Sequence, residues 1–462
     1  MPKRMVITGA CLVATLWGCG TEDGSTRELS PYSAAVDGAG GWTLLFYLAA
    51  DNAQEAAADV TLKQLQAATA QGANAPQVIV LLDRLSQPGT EIFEVSAGKL
   101  VPLQTHPEEV TSNGAVLQAF ATFGLQQAKY DNVAFVIKSE GLSWRGIGRD
   151  NTHAADSPDT LMSCGELAQA LVAAQSAAQE NMDLLVLEGS IMAFVEVVYE
   201  LRNAAPILLA SQSKIQPDGL PWSLVIDDLE QQPGMSGREL AIAITDDLQT
   251  YYSVKGNKGV PAADTSTNFA AMTVFDTSHA VQALDAHSAW AKTTSPLLDT
   301  LYNVLPHARD LSDVGGFGDV TDVDFQSDIK TFMVESKRLI GEAGLSLPAF
   351  DAAVDAYLAV QDELVIYQRK PSDGSKLGSA NGVSIWFPPT WIQYDTSDLQ
   401  DGLFGSSLSY EDPVIDLDWV SDSSWVTFLK AYFDRADANL AGNGASDEPP
   451  KPGVFENPGK KQ

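Results

Sequence analysis

Cysteine is scarce: Cys11, Cys19 and Cys164 are the only three among 462 residues. The first two fall in a leader-like N-terminus, so one thiol remains for the mature chain and no disulfide framework can form within it. Stability must come from a core, and the length is ample for one large domain or two ordinary ones. Histidine is scarce as well, at five: His106, His153, His279, His287 and His307. No His/Cys cluster has metal-ligand spacing, and neither a metal nor another cofactor is expected. Positive charge is the third shortage, with 28 Lys and Arg against 60 Asp and Glu, a formal net charge of −32. Such a chain repels nucleic acid and anionic lipid and attracts cationic partners. A merely solvated acidic surface is the plainer explanation of the same numbers. No internal repeat is present. A nucleotide loop is missing too, since Gly146-Ile-Gly148 is not followed by a helix carrying the required third glycine.

What is present begins with Lys3 and Arg4 ahead of an apolar run from Met5 to Trp17, too short to cross a bilayer but suited to a secretory signal. Leu16-Trp17-Gly18-Cys19 resembles a bacterial lipobox with Cys19 as the lipid-bearing residue. An ordinary cleaved signal is the alternative, because Trp17 stands where a small residue is usual. Residues 20–41 read as a flexible tether, and residues 438–462 as a disordered tail. Between them, strand and helix patterns alternate. Trp42–Ala50, Val78–Asp83, Asn132–Lys138 and Met182–Leu187 are strand-length apolar runs of the kind buried on both faces of a parallel sheet. Helical spacing marks Val116–Gln127, Gly165–Gln179, Ala280–Leu305, Ile329–Glu342, Pro348–Val360 and Trp425–Ala436. The alternation predicts an α/β fold with right-handed crossovers and a mostly parallel sheet. Two strands end in Glu-Gly, at Glu140-Gly141 and Glu188-Gly189-Ser190, and the carboxyl edge of such a sheet is where sites are built. Cys164, before a helical run, reads as a buried structural residue, although a helix N-terminus can lower a thiol pKa. Asp319, Asp322 and Asp324 lack the glycine and terminal Glu of a calcium loop and read as a solvated turn.

In sequence order, several motifs resemble the clostripain-like cysteine peptidases, a family with a caspase-like fold. They are Tyr47-Leu-Ala-Ala-Asp51-Asn52 at a strand end, Trp144-Arg-Gly-Ile-Gly148 with Asp150, and Glu196-Val-Val-Tyr199-Glu-Leu-Arg202. Further on come Ala210-Ser-Gln-Ser with Pro217-Asp-Gly-Leu-Pro-Trp222, Asn381-Gly-Val-Ser-Ile-Trp-Phe-Pro388, and Trp425-Val-Thr-Phe-Leu-Lys-Ala-Tyr432. The likeness spans Trp42 to Phe433. It implies a caspase-like α/β/α sandwich over 42–330, completed by a smaller C-terminal α+β subdomain over 331–437.

The resemblance also marks two departures. Where the family carries its catalytic His-Gly, this chain has Glu140-Gly141, and where it carries Asp-Ala-Cys, this chain has Glu188-Gly189-Ser190. A thiolate activated by imidazole is what the family's chemistry needs. A serine hydroxyl without a base is a far poorer nucleophile, and a carboxylate does not alternate between neutral and cationic forms near pH 7. The expectation is an exported, lipid-anchored member of the cell envelope without peptidase activity, acting as a binding or scaffolding protein. Because the family's acidic residue two before the cysteine helps select a basic side chain, Glu188 and Asp218 are expected to line an acidic pocket, with Trp144 and Trp222 on its flanks, for Lys- or Arg-containing peptides. The competing expectation is a hydrolase using Ser190 with His153, or carboxylate chemistry through Glu140 and Glu188.

Overall fold

A strand with no polar face must be covered on both sides, and the apolar runs form the middle of a nine-stranded sheet with helices on each face. The computed structural model describes residues 40–69, 75–152, 161–216, 218–253, 270–314, 325–371, 376–388, 410–411 and 416–442. In chain order these give β1 (Trp42–Ala50), α1 (Glu55–Thr69), β2 (Gln77–Arg84), β3 (Gln87–Ser96), β4 (Lys99–His106), α2 (Gly114–Gln127), β5 (Asn132–Lys138) and α3 (Cys164–Ala178). Next come β6 (Leu184–Glu188), α4 (Val195–Glu200), β7 (Ile207–Ser211), α5 (Trp222–Gln231), α6 (Gly237–Ser253), β8 (Met272–Asp276), α7 (Ala280–Thr294), α8 (Leu298–Leu301) and α9 (Leu305–Leu311). The chain closes with β9 (Gln326–Asp328), α10 (Ile329–Glu342), α11 (Pro348–Leu364), β10 (Val365–Arg369), β11 (Ser384–Trp386), α12 (Asp418–Asp422) and α13 (Trp425–Gly442). The signal, residues 20–39 of the tether, His153, Asp319, Asp322, Asp324 and residues 443–462 of the tail lie outside the described residues.

The sheet order is β10-β8-β7-β6-β5-β1-β2-β3-β4. Its five central strands, β7 to β2, run parallel, and both margins finish in antiparallel pairs. Alternation along each strand divides the core. Leu45, Tyr47, Ile137 and Leu185 pack with α2 and α3 through Leu117, Phe120, Leu167 and Leu171. Leu44, Phe46, Val136 and Val186 pack against α1, α5 and α6 through Leu62, Val225, Ile226 and Ile244. Each such fully buried aliphatic or aromatic side chain contributes about 1.5–3 kcal/mol relative to exposure. Helix starts are set by local chemistry: Ser163 Oγ accepts the Glu166 N–H at 3.1 Å at the head of α3, and Asp328 accepts the Thr331 N–H at 2.8 Å at the head of α10.

One expectation changes. The single helical region over 280–305 is broken by a 3₁₀ turn at Ser295–Leu297, where Pro296 removes a helical N–H. Strands β4 and β10 carry no clear apolar alternation. β4 is exposed along nearly its whole length and contains Pro102, which an edge strand tolerates.

The C-terminal segment is stitched into the sheet by one residue beyond β7. Gln212 Nε2 donates to Asp328 Oδ2 (3.0 Å) and Ser384 Oγ (2.9 Å), and its Oε1 accepts from Gly382 N (2.7 Å) and Gln368 Nε2 (3.0 Å). Those bonds tie the antiparallel β9–β11 ribbon to the edge strand β10 and so to the main sheet, and the described residues from 40 onward belong to one compact unit. Beside it, α4 is buried throughout. Glu196 Oε1 there accepts the Trp386 N–H and the Tyr410 hydroxyl, each at 3.0 Å, and Glu200 Oε1 accepts the Trp419 N–H at 2.9 Å. Burial pushes both carboxyls up from 4.5 to about 7 despite these bonds.

A carboxyl whose folded pKa is raised binds its proton more tightly when folded, so its contribution to stability is full below the unfolded pKa and fades as pH rises through about 7. Thermal unfolding should therefore show Tm falling between pH 5 and pH 8. Glu196→Gln should flatten that fall; an unchanged slope would mean that Glu196 titrates as an ordinary carboxylate.

Candidate functional site

From β1 the chain moves to β2 on one side and later returns to β5 on the other, so the strand order reverses at the carboxyl ends of β1 and β5. Crevices at such points receive ligands in open α/β sheets. Here the point is filled by Asn52. Its side-chain nitrogen donates to Ala49 O (2.9 Å), Ser139 Oγ (3.2 Å) and Arg149 O (2.6 Å).

One strand further, β5 and β6 leave the sheet through Gly141 and Gly189, whose backbones approach so closely that a Cβ on Gly189 would stand 3.2 Å from Gly141 Cα. A Cβ on Gly141 would press on Ser190 O at 2.6 Å. This close approach brings the two strand exits together. Glu140 is half-buried, with its carbonyl accepting the Gly148 N–H at 3.1 Å. Ser190 is half-buried too, and among the described residues its hydroxyl has one hydrogen bond, accepted from the Ile215 N–H at 3.2 Å. The next residue, Ile191, has φ of 53°, a left-handed conformation that a β-branched side chain rarely adopts. It is held there by its N–H to Ser213 O (3.0 Å) and by the following Ala193 N–H to Ser211 O (2.9 Å). Strain of this kind costs about 1–3 kcal/mol and persists where neighbours over-determine it.

The expected acidic pocket is not open at Glu188. Lys138 and Glu188 are direct partners across β5 and β6, and their side chains form an ion pair with 4 % and 0 % exposure. The same carboxylate accepts the Leu220 N–H at 3.0 Å and the Trp222 indole N–H at 2.8 Å. Gly219, with φ of 70°, closes over the pair, and a Cβ there would run into both Glu188 and Lys138. Glu188 is therefore saturated by this chain's own lysine, amide and indole. Trp222 is a core residue rather than a pocket wall, packed edge-on against Phe46 with centroids 4.7 Å apart. Trp144 is likewise fully buried, against Trp386 at 5.2 Å and Tyr410 at 5.0 Å, under the Arg145 guanidinium. Asp218 alone of the expected group stays partly exposed, with Tyr251 Oη 3.5 Å from its carboxylate.

Cys164 is buried with its thiol near Ser143 O (3.7 Å), and burial drives its pKa far up, so it is inert. Among the described histidines, His106 bonds Gln104, His279 bonds Gln282, and His307 lies on α9. His287 is enclosed by Trp290, Tyr357, Trp419 and Trp425 at 5.0–5.7 Å, and burial pushes its pKa down to about 3. A different group at the same edge escaped the sequence: Asp51, Asp83 and Glu108, brought together from three segments. Burial and the neighbouring carboxylates hold Asp83 up at about 7. Only the Tyr47…Asp51-Asn52 strand end was a signal for it.

The sequence model of the Clostripain family matches residues 46–431. A search of curated proteins finds no match. Among solved structures, the chain is similar to a secreted C11 cysteine protease from Bacteroides thetaiotaomicron held by an irreversible peptide inhibitor, at 18% identity and a TM-score of 0.56, covering 84% of this chain and 99% of that one. It is also similar to an inactive zymogen C11 protease from Parabacteroides distasonis, at 15% identity and a TM-score of 0.52, with the same shares covered. At such identities the likeness shows the fold.

Removing one member of a buried ion pair leaves a charge without its counter-ion, so Lys138→Met should destabilise the chain by about 3–5 kcal/mol. Adding Glu188→Gln should recover roughly half of that or more, because removing the second charge spares the desolvation cost. Urea unfolding of the two variants decides it: a double variant no more stable than Lys138→Met would show that the charge pair does not govern this site.

Proposed function

The chain belongs to the clostripain family, and from that premise we propose that it is an exported member that has lost cysteine peptidase chemistry and works as a binding or scaffolding protein of the cell envelope, anchored by lipid on Cys19. The observation that carries this reading is the pair of strand exits, where Glu140 and Ser190 stand in the positions that resemble the family's dyad and the Ser190 hydroxyl accepts the Ile215 N–H. An inert Cys164 and a caged His287 offer no substitute thiol or imidazole. Export is supported by the signal-like Met5–Trp17 run and by the secreted protease among the structural neighbours. No helix among the described residues is long and apolar enough to cross a membrane.

Partners of this reading are Lys- or Arg-containing segments of peptides or proteins. With Glu188 occupied, they would be met at the rim by Glu140 and Asp218 and by the overall charge of −32. Such contacts are weak singly and screened by salt. The strained turn at Ile191 favours a second reading, in which Ser190 retains a hydrolytic role with His153 as its base.

Incubating the signal-free protein with a mixed-sequence peptide library separates the two. We expect no cleavage above background, and salt-sensitive retention of Lys- and Arg-rich peptides that weakens in a Glu140→Gln, Asp218→Asn variant. Cleavage that disappears in Ser190→Ala would establish the hydrolase instead.

A further inference from the structure

Beyond β11 the chain returns across α4 as a short strap, residues 417–424, which contains α12. Leu417 and Trp419 are buried, while Asp418, Ser421 and Asp422 are exposed. Side chains of α4 and its neighbours seat the strap. Glu200 Oε1 accepts the Trp419 N–H at 2.9 Å, and Asp422 accepts the Tyr199 hydroxyl at 2.7 Å. Arg202 donates to Asp418 at 2.9 Å, and Ser288 Oγ accepts the Ser424 N–H at 3.1 Å. One turn before Glu200, on the same face of α4, Glu196 accepts the Trp386 N–H and the Tyr410 hydroxyl through one oxygen. Its other oxygen, Oε2, makes no hydrogen bond among the described residues. Cys164 lies beside these groups: Asp416 crowds Gly165, the next residue, and the charges acting on the thiol are those of Glu200 and Glu196.

The two carboxyls are buried, and among the described residues neither forms an ion pair. The cation acting on Glu200 is Arg202, which is spent on Asp418 and lies over the Tyr199 ring at 3.9 Å. The other titratable groups around them add no positive charge. Burial keeps the Cys164 thiol on α3 and the Tyr199 and Tyr357 hydroxyls protonated, and it keeps His287, 5.5 Å from Trp419, neutral. Asp328, which acts with Glu196 on Tyr357, and Asp418 and Asp422 on the strap are themselves acids. A carboxyl buried without a counter-ion is tolerable protonated and costly ionised. We propose that residues 417–424 are a pH-gated strap, seated on α4 while Glu196 and Glu200 hold their protons and released locally once the two ionise. Release would open Trp419 and Cys164 to water. Glu196 carries the effect further, because the Trp386 and Tyr410 that it bonds pack on Trp144, in the loop beyond Glu140. Both carboxyls stand at about 7 when seated and return to the ordinary carboxyl range when wetted. The open population therefore climbs between about pH 5 and about pH 7, by up to about 10-fold per unit for each carboxyl, and levels off above. The strap is independent of whether Ser190 cleaves anything.

The test follows amide hydrogen exchange of the full chain by mass spectrometry from about pH 5 to about pH 8, each rate divided by the intrinsic rate at that pH. Alkylation of Cys164 by iodoacetamide, read on its own peptide and corrected for thiolate fraction, runs in parallel. Corrected exchange of residues 417–424 should rise at least about 10-fold between about pH 5 and about pH 7 and then flatten, with Cys164 alkylation rising in step. The amides of β1 and β5 should stay protected throughout, which separates release of the strap from global unfolding. Glu200→Gln keeps the acceptor for Trp419 without the charge, so it should reduce the rise and leave the strap seated at about pH 8. Glu196→Gln should reduce it likewise, and serves alone if the other variant does not fold. Corrected strap exchange that is flat with pH, a rise that β1 and β5 share in step, or a rise unchanged in every glutamine variant that folds would overturn the proposal.

Discussion

The ion pair between Lys138 and Glu188 is the constraint around which the carboxyl edge is arranged. Both residues sit at the last paired positions of β5 and β6, on the face covered by α5 and α6, and both are out of water. Two charges in that setting are tolerable only with each other and with further hydrogen bonds. Trp222 and the Leu220 N–H supply these, and they can do so because Gly219 lets the chain fold down on the pair. The Tyr252 hydroxyl then fixes the loop from α6 by donating to Gly219 O at 2.9 Å. One electrostatic requirement thus places the segment from Gly219 to Trp222, the start of α5 and the end of α6. It also turns a carboxylate that would otherwise attract a cationic ligand into an internal strut.

The neighbouring strand exits obey a different constraint, which is steric. Gly141 and Gly189 pass within van der Waals contact, so the chain can turn sharply out of both strands only where no side chain intervenes. Ile191 absorbs the remaining distortion in a left-handed conformation. A turn of this shape projects residue 190 from the sheet edge, a geometry suited to a nucleophile. The residue projected is a serine whose oxygen takes the Ile215 amide hydrogen and, among the described residues, gives its own to no base. The family's fold is retained at these exits, and the proposed loss of peptidase chemistry rests on Glu140 and Ser190 standing where the resemblance places its dyad.

Apolar runs made the sheet legible. β5 and α10 fall where the residues alone place them, and so do the central strands β1, β2 and β6 to within a few residues, because a buried strand has little polar pattern to confuse. β4 escaped, since an exposed edge strand needs no apolar alternation and admits Pro102. The exits at Glu140 and Ser190 were legible from motif and position. The fate of Glu188 was not: its acidity is visible in the sequence, but its neutralisation depends on the register that sets Lys138 opposite it. Trp144 and Trp222 read as site aromatics for the same reason, because polarity and size are written in a sequence and burial is a property of the whole.

The two groups of acids at this edge illustrate how burial decides what a carboxylate does. Glu188 has a lysine across the ladder and is spent on structure. Asp51 and Asp83 are equally buried, yet the charges acting on Asp83 are those of Asp150, Glu108 and Asp51, and among the described residues each of the two keeps an oxygen without a donor. Burial and neighbouring carboxylates hold Asp83 up at about 7, whereas Glu188 has the Lys138 ammonium beside it. The acids that cluster at this edge lie at the exits of β1 and β2 and after β4 rather than at β6. The residues gathered there lie 32 and 25 positions apart, at 51, 83 and 108, which is why no spacing rule could find them.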